Sequence, residues 1–329
     1  MSTYRLKILT NRLFRRYETV TKGLIALGLL ALIVLIIYSI SPLNFPRGKI
    51  VRINKNMGVT AVANMLKDDG IIRSAFIYKA YVVLLHDGKG VQAGSYLFDQ
   101  PQSALRVAYR TAYGISELQK IRVTIFEGLN SKEIGTTIKK NIPEFDVDDF
   151  ISKARNYEGH LFPETYFFNP DVESDEVIAE MRGQFDREIV PYKDAVATST
   201  KSLREIIIMA SIIEKEANNT EDRRMVSGVL WNRIRINMPL QTDVPFYYII
   251  NRAANQLTVK DLATTSPYNT YLNKGLPPTP ISNPGLDSIE AALYPTKSQY
   301  LFYLADGNGI THFAKTHDEH VANKFKYLQ

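Results

Sequence analysis

The sequence predicts an α+β protein that consists of a single N-terminal transmembrane helix, a small α+β module and a larger α+β domain. An uncharged apolar run of 18 residues occupies positions 23–40. Beyond it, short segments of alternating polarity are interleaved with segments of helical periodicity, as expected for mixed strands and helices. One of these segments, residues 202–219, is apolar on nearly every face and is therefore expected at the centre of the larger domain.

The apolar run at 23–40 indicates a retained membrane anchor. Its length suits a hydrocarbon core of about 30 Å, and residues 1–22 carry six basic side chains against one acidic. A cleavable signal peptide has a shorter apolar run and small residues at the cleavage site, where this chain has Ser41-Pro42. We expect a cytoplasmic basic tail, a single pass through the cell (inner) membrane, and the rest of the chain on the periplasmic or extracytoplasmic side. A buried core helix is the alternative.

Charge and composition exclude several classes of function. Without the basic tail, the chain holds 34 basic and 33 acidic residues, so the folded part has almost no excess charge. A nucleic-acid-binding protein would carry its positive charge there. The chain has no cysteine, which rules out disulfides, thiolate zinc sites and thiol catalysis.

The small module is predicted at residues 50–120, after a linker at 41–49. Its elements are strands at 50–53 and 94–98 and helices at 59–66, 76–85 and 103–113. The larger domain, residues 121–329, begins with a strand, a glycine turn and a helix in the order already seen at residues 50–66. Small strand–helix modules of this kind occur in proteins that bind glycan chains, but a plain packing domain fits the pattern equally well.

Residues 158–168, EGHLFPETYFF, follow neither helical nor strand periodicity. They place aromatic side chains around Pro163 together with two acids, Glu158 and Glu164. Such a segment can line a sugar cleft or form a hydrophobic plug between domains. We favour the cleft.

The helix predicted at 202–219 ends in two carboxylates, Glu214 and Glu216. Ser202 with Glu205 forms a capping box that sets its start. A carboxyl on a buried helix is costly to ionise, so its pKa rises, as a general acid requires. On a helical wheel Glu214 is the more buried and Glu216 has access to a cleft beside the core, which mildly favours Glu216. A core helix with a charged, solvated end is the alternative.

The segments after this helix are rich in turns, hydroxyls, amides and aromatic rings. Such side chains bind sugar hydroxyls and stack on pyranose faces, and they are typically carried on loops. A hairpin at Gly307-Asn308-Gly309 follows. His317 and His320 have the helical spacing of a metal-ligand pair but no third ligand nearby, so we expect a solvated helix face, with no metal and no cofactor. The loops in question lie at residues 241–243, 266–271 and 275–280.

A series of motifs resembles the YceG/MltG family of endolytic murein transglycosylases over roughly residues 48–329. The motifs are EGHLFPETY at 158–166, ASIIEKEA at 210–217, NRIRINMPLQTD at 232–243, PYNTY at 267–271 and GLPPTPISNPG at 275–285. The resemblance implies a LysM-like module at 50–120 and a catalytic domain at 121–329 related to lysozyme-like transglycosylases. It also implies cleavage of the β-1,4 bond between N-acetylmuramic acid and N-acetylglucosamine in nascent strands without water, with 1,6-anhydro ends and termination of strand elongation.

The resemblance also assigns the site. In related lysozyme-like enzymes the catalytic glutamate precedes a small residue, which fits Glu216-Ala217 and not Glu214-Lys215. Glu216 is therefore expected to act as acid and base, with Glu214 as a supporting or structural carboxylate. Glu164 or Asp243 would stabilise oxocarbenium charge. The residues expected to position the glycan or to hydrogen-bond Glu216 are Gln241, Asp243, Tyr268, Asn269 and Tyr271.

Two other functions fit the same residues. One is a non-catalytic peptidoglycan-binding or scaffold protein of the cell-wall synthesis machinery. The other is a glycoside hydrolase with two carboxylates, about 5–9.5 Å apart. The expected partners are glycan strands of peptidoglycan, the cytoplasmic membrane and peptidoglycan synthases.

Overall fold

Two compact units, residues 1–119 and 120–329, make up the chain, and they meet one residue before the boundary expected from the sequence. The structure, a computed structural model, describes residues 2–86, 90–250 and 264–328. The strands of these residues form three antiparallel two-stranded sheets among many more helices. The α+β class and the apolar N-terminal helix are therefore confirmed.

The N-terminal helix α1, Ser2–Ser39, includes the apolar run. Its stretch from Thr21 to Ser39 is not buried against any other part of the protein. Within the described part of the chain it is the one helix long and apolar enough to cross a membrane. Such a helix needs an apolar surrounding outside the protein itself.

Beyond α1, unit 1 consists of a two-stranded sheet and three helices. Its elements are β1 (Lys49–Ile53), α2 (Val59–Asp68), α3 (Ala75–His86), β2 (Gly94–Phe98) and α4 (Ala104–Tyr113). Ser103 caps the start of α4 with its side chain, and Gly114 ends the helix in the left-handed conformation at φ 73°. One apolar core joins the three helices and the sheet.

The segment expected as a linker, residues 41–49, is packed against unit 1. Phe45 is buried in the core of the unit. Arg73 Nε donates a hydrogen bond of 3.0 Å to the carbonyl oxygen of Ser41. The end of α1 is therefore fastened to unit 1 instead of being joined to it by a free tether.

Unit 2 contains two antiparallel strand pairs and the remaining helices. Strand β3 pairs with β4, and β5 pairs with β6 around the predicted glycine turn. The strands are β3 (Ile121–Thr124), β4 (Thr165–Phe168), β5 (Phe302–Ala305) and β6 (Thr311–Ala314). The helices are α5 (Ser131–Asn141), α6 (Val147–Ala154), α7 (Ser174–Ile189), α8 (Lys193–Thr198), α9 (Leu203–Glu216), α10 (Thr220–Arg235), α11 (Val244–Ile250), α12 (Leu286–Leu293) and α13 (His317–Tyr327).

Helix α9 lies at the centre of unit 2 and packs against α10 and α12. Its start is the predicted capping box of Ser202 and Glu205. Every residue from 206 to 213 is buried, as the apolar sequence requires. The helix ends at Glu216 because Ala217 takes an extended conformation. The expected stop at Asn219 differs, since the Asn219 side chain instead caps the start of α10 by accepting a bond from Asp222 N.

Candidate active site

The last turn of α9 directs its two carboxylates to different surroundings. Glu214 points into the protein, and its side chain is 4% exposed. Its Oε1 accepts a hydrogen bond of 2.7 Å from Arg223 Nη2, and its Oε2 accepts one of 2.8 Å from Gly285 N. Both carboxylate oxygens are thus engaged in holding α10 and the start of α12 to α9, a structural role.

Glu216 opens into a cleft of about 540 Å³. Tyr303 donates a hydrogen bond of 2.9 Å from its hydroxyl to Glu216 Oε2. This bond fixes the position of the carboxyl through its Oε2 atom. The cleft is lined by Lys215, Glu216, Arg233, Gln241, Thr242, Asp243, Val244, Tyr271, Phe302, Tyr303, His317, His320 and Lys324.

The surroundings of Glu216 raise the pKa of its carboxyl to about 7. Burial against the core is the largest cause, because it disfavours the charged form, and the negative charge of Asp243 acts in the same direction. The hydrogen bond from Tyr303 and the positive charge of Arg233 oppose the rise. Near neutral pH the carboxyl therefore exists in both forms and can give and take a proton.

Arg233, on α10, joins the two walls beside Glu216. Its Nε donates a bond of 2.6 Å to the carbonyl oxygen of Leu301, just before β5. Its Nη1 donates to the carbonyl oxygen of Leu240, just before the loop at 241–243. Arg233 as a whole residue is 5% exposed, and its guanidinium lies over the ring of Phe302. It is therefore a buried brace that also contributes positive charge near Glu216.

The loop at 241–243 forms one wall of the cleft and is tied to the turn at 266–273. Gln241 has a left-handed backbone, with φ 50°, and its N–H donates to the carbonyl oxygen of Thr270 at 3.0 Å. The Thr270 hydroxyl accepts from Thr242 N and donates to Thr242 O. The Tyr271 hydroxyl donates a bond of 2.5 Å to Asp243 Oδ1. These bonds hold an oriented carboxylate, Asp243, at the rim facing Glu216.

Tyr268 and Asn269 shape this wall without lining the cleft. The Asn269 side chain is fully buried, and its Oδ1 accepts bonds from the N–H groups of Tyr271 and Leu272. The Tyr268 hydroxyl pairs with Thr279 Oγ1 at 2.7 Å, and its ring packs on the core. Both residues fix the turn that presents Tyr271.

Glu164 lies elsewhere. Its side chain is exposed and accepts a bond of 2.7 Å from Thr165 N, and it lines a separate polar depression along β4. The structure therefore does not bring Glu164 to Glu216, and it brings no support for Glu164 as a charge stabiliser. The resemblance to the family suggested Glu164 because it lies in the motif at 158–166.

Much of the 158–168 segment is packed into the core, while residues 164–168 line a polar depression that is separate from the cleft of Glu216. Its role as the wall of a sugar cleft stays a prediction. Its apolar residues Leu161, Phe162, Tyr166 and Phe168 are buried in the two cores of unit 2. Glu158 is 4% exposed, and its carboxylate accepts bonds from Ser131 and from Asn283 Nδ2. Burial still raises the pKa of Glu158. The aromatic density of the segment reflects core packing.

Several residues of the cleft are absent from the predicted site, and two of them, Tyr303 and Arg233, act directly on Glu216. Tyr303 and Arg233 are distant from Glu216 in the sequence, and no local periodicity connects them. The sequence did contain one signal for Tyr303, because residues 301–306, LFYLAD, also resemble the family at this place in the motif series. His317 and His320, considered only as metal ligands, form the remaining wall, and the His320 ring stacks on Phe302 at 5.3 Å.

Comparisons with known proteins agree on one family. Residues 51–326 match the YceG-like family. The chain is 33% identical over 305 residues to the endolytic murein transglycosylase of Bacillus subtilis, covering 84% of each chain. It is 34% identical to the enzyme of that name in Streptococcus pneumoniae, over 58% of this chain and 35% of the other. A crystal structure of a yceG-like protein from Listeria monocytogenes superimposes with a TM-score of 0.57 at 32% identity, covering 84% of this chain and 99% of that one.

Proposed function

Because the chain belongs to the YceG-like family, we propose that it is a membrane-anchored endolytic lytic transglycosylase of peptidoglycan. Its substrate is the β-1,4 bond between N-acetylmuramic acid and N-acetylglucosamine inside nascent glycan strands. The observation that carries this proposal is Glu216, a carboxyl with a pKa of about 7 in an open cleft. Carboxylic acids of this kind serve as general acids in glycosidic cleavage.

In the first step, protonated Glu216 donates its proton to the glycosidic oxygen. The bond between that oxygen and muramyl C1 breaks, the N-acetylglucosamine side leaves as an alcohol, and C1 gains oxocarbenium character. Tyr303 supports this step because its hydrogen bond to Oε2 holds the carboxyl in place beside the cleft. Asp243, held by Tyr271 on the wall formed by the loop at 241–243, offers negative charge that stabilises the developing cation.

In the second step, the ionised Glu216 accepts the proton of the muramyl C6 hydroxyl. The C6 oxygen bonds to C1 and closes the 1,6-anhydro ring, so the carboxyl regains its proton and no water is consumed. A pKa near 7 suits both steps, because the same group must act as acid and then as base. Gln241 is proposed to hydrogen-bond the glycan from the facing wall.

The wider assignment is also proposed. Unit 1 is a LysM-like module that binds glycan, and unit 2 is related to lysozyme-like transglycosylases. The exposed apolar helix α1 supports a single-pass anchor, and the basic residues before it support a cytoplasmic N-terminus in the inner membrane. Cutting close to the membrane, beside a peptidoglycan synthase, would end strand elongation.

The test uses the full chain in detergent micelles with purified glycan strands. Glu216→Gln is compared with Glu214→Gln, a matched change two residues away. We expect the wild type to give internal fragments with 1,6-anhydro ends. Glu216→Gln should lose at least a hundredfold of the cleavage activity, and Glu214→Gln should retain it. Full activity of Glu216→Gln would overturn the assignment of the acid. Binding of strands without any product would indicate a scaffold.

A two-carboxylate hydrolase is the second candidate, and the negative charge of Asp243 near Glu216 favours it. In that mechanism Asp243 activates a water molecule, and every cut yields a reducing end. Digestion in H₂¹⁸O separates the two reactions. Incorporation of one ¹⁸O per cut would indicate the hydrolase, and products free of ¹⁸O the transglycosylase.

A further inference from the structure

An apolar surface on unit 1 lies beside the C-terminal end of α1. We infer that this surface docks on the lipid where the membrane span leaves the bilayer. We call it the juxtamembrane surface and define it as Leu43, Phe76, Val83 and Leu84. This inference rests on the membrane span proposed for α1. It adds a second attachment, through which unit 1 lies against the bilayer surface.

The juxtamembrane surface is unusually exposed for apolar side chains. Leu43 is 95% exposed, Phe76 77%, Val83 58% and Leu84 76%. Phe76, Val83 and Leu84 follow i, i+7, i+8 spacing and therefore share one side of α3. Lys79 is the sole Lys, Arg, Asp or Glu in this helix. A helix face that met water would be polar, so this one indicates an apolar partner.

Hydrogen bonds hold α3 at the level where the span ends. Ser39 Oγ, in the last residue of α1, pairs with the Tyr81 hydroxyl of α3 at 2.8 Å. Arg73, just before α3, donates to the carbonyl oxygen of Ser41. Helix α1 also contacts α4. Since the span leaves the hydrocarbon near residue 40, α3 is fixed at the height of the lipid headgroups.

The apolar side chains form a series that starts inside the span. Ile37, Tyr38 and Ile40 at the end of the span are about half exposed and need lipid themselves. Leu43 follows three residues later. Phe76 lies at the start of α3, three residues after Arg73, which bonds the carbonyl oxygen of Ser41. Aromatic side chains such as Tyr38 and Phe76 are typical of the membrane interface. The lipid that surrounds the span is therefore the partner that this face meets, as for a helix lying in the interface.

The experiment exploits the absence of cysteine from the chain. Single cysteines are placed in the full-length protein at Leu84→Cys, at Asn64→Cys and at Leu30→Cys, and each carries a nitroxide spin label. Asn64 is an exposed polar residue of α2, and Leu30 lies in the middle of the span. The labelled proteins are reconstituted in nanodiscs of phosphatidylcholine and phosphatidylglycerol that hold one chain each. Accessibility to oxygen, which enriches in lipid, is compared with accessibility to a water-soluble nickel chelate.

The ratio of oxygen accessibility to nickel accessibility is expected to be at least threefold higher for the label at position 84 than for the label at position 64. The label at position 84 should lie less deep in the bilayer than the label at position 30. A label at 84 as open to nickel as that at 64, with position 30 in lipid, would overturn the inference and leave the anchor intact. A water-exposed label at 30 would refute the proposed anchor itself. Shielding at 84 that occurs only in nanodiscs with several chains would identify a second copy as the partner and overturn the lipid assignment.

A second variant tests the whole surface. Phe76→Ser with Val83→Ser is introduced beside the label at position 84. Both side chains are exposed, so the fold of unit 1 is expected to persist, as checked by circular dichroism. The label should then become nickel-accessible, approaching the value at position 64. An unchanged label would contradict docking by this face.

Discussion

At the scale of single residues, the site depends on how differently two neighbouring carboxylates are treated. Both oxygens of Glu214 accept hydrogen bonds inside the protein, and Glu216, which accepts a bond from Tyr303, lines the cleft. On a helix, two positions two residues apart point about 200° from each other, so one can serve the core and the other the cleft. The helical wheel of the sequence only mildly favoured Glu216 as the residue with access to the cleft.

Tyr303→Phe removes the hydroxyl that bonds Glu216 with almost no change of shape. We expect kcat at the pH optimum to fall about tenfold, since a hydrogen bond to a charged group is worth about 1.5–3 kcal/mol. This bond lowers the pKa of Glu216, so its loss should move the alkaline limb of the pH–rate profile upward from about 7. The rate falls along the alkaline limb because the protonated form of Glu216 is lost as pH rises.

The control is Tyr192→Phe, which loses a hydroxyl bond to Glu290 away from the cleft. It should leave the alkaline limb in place. If Tyr303→Phe lowers activity without moving that limb, Tyr303 has only a packing role.

Glu216→Gln should stabilise the protein at alkaline pH. The folded pKa is about 7 and the ordinary value is 4.5, so the folded state holds this proton more tightly than the unfolded state. Ionisation therefore costs folding free energy, beginning above pH 4.5 and complete above about 7. Thermal melts should show Glu216→Gln above the wild type at pH 8 and equal to it at pH 4.

Glu214→Gln should have the opposite effect in the same melts. It leaves Arg223 without one of its two carboxylate partners, at a cost of about 2 kcal/mol, below the usual value for a broken buried pair because Asp287 remains. Equal melting temperatures for the two variants at pH 8 would refute this division of roles.

At the scale of elements, unit 2 is held together by contacts between distant segments. Asn283 Oδ1 accepts bonds from the N–H groups of Gly159 and Leu161. Gly159 has φ 85°, and a side-chain carbon there would lie 2.5 Å from Pro280. The segments 158–161 and 280–283 therefore approach too closely for any residue but glycine.

Gly159→Ala should destabilise unit 2 by about 3 kcal/mol, since backbone strain adds to overpacking against Pro280. Gly275→Ala is the matched control, because φ is 82° there and nothing lies within 4 Å. It should cost about 1 kcal/mol, from backbone strain alone. Chemical denaturation measures both, and similar losses would show that close packing at Gly159 contributes little.

The sequence predicted most elements because their signals are local. The capping box at Ser202 and the glycine hairpin at 307–309 both depend on neighbouring residues. Glu216 was selected by helical geometry and a motif. Tyr303, Arg233 and the burial of Glu158 could not be predicted in this way, because each depends on a partner brought close only by the complete fold.

At the scale of the whole molecule, the two units have separate apolar cores. The core of unit 1 includes Phe98, and the cores of unit 2 surround α9 and the β3–β4 pair. Each unit is therefore expected to have its own stability. The two can be altered one at a time.

Phe98→Ala removes a fully buried ring from unit 1 and should cost about 3–5 kcal/mol there. Calorimetry of the full chain in detergent should show one unfolding component shifted down and another unchanged. Between the two transitions, where only unit 1 is unfolded, unit 2 should still cleave soluble strand fragments. A common shift of all components would show that the two units unfold together.

The link between Tyr303 and Glu216 also has a consequence in time. Tyr303 is synthesised 87 residues after the acid that it positions, and Asn283 is made 124 residues after Gly159. In the proposed topology the chain crosses the membrane N-terminus first. The acid therefore emerges without its hydrogen-bond donor and without the second wall of its cleft. We therefore expect the growing chain to stay inactive beside the glycan until the β5–β6 hairpin has also crossed the membrane.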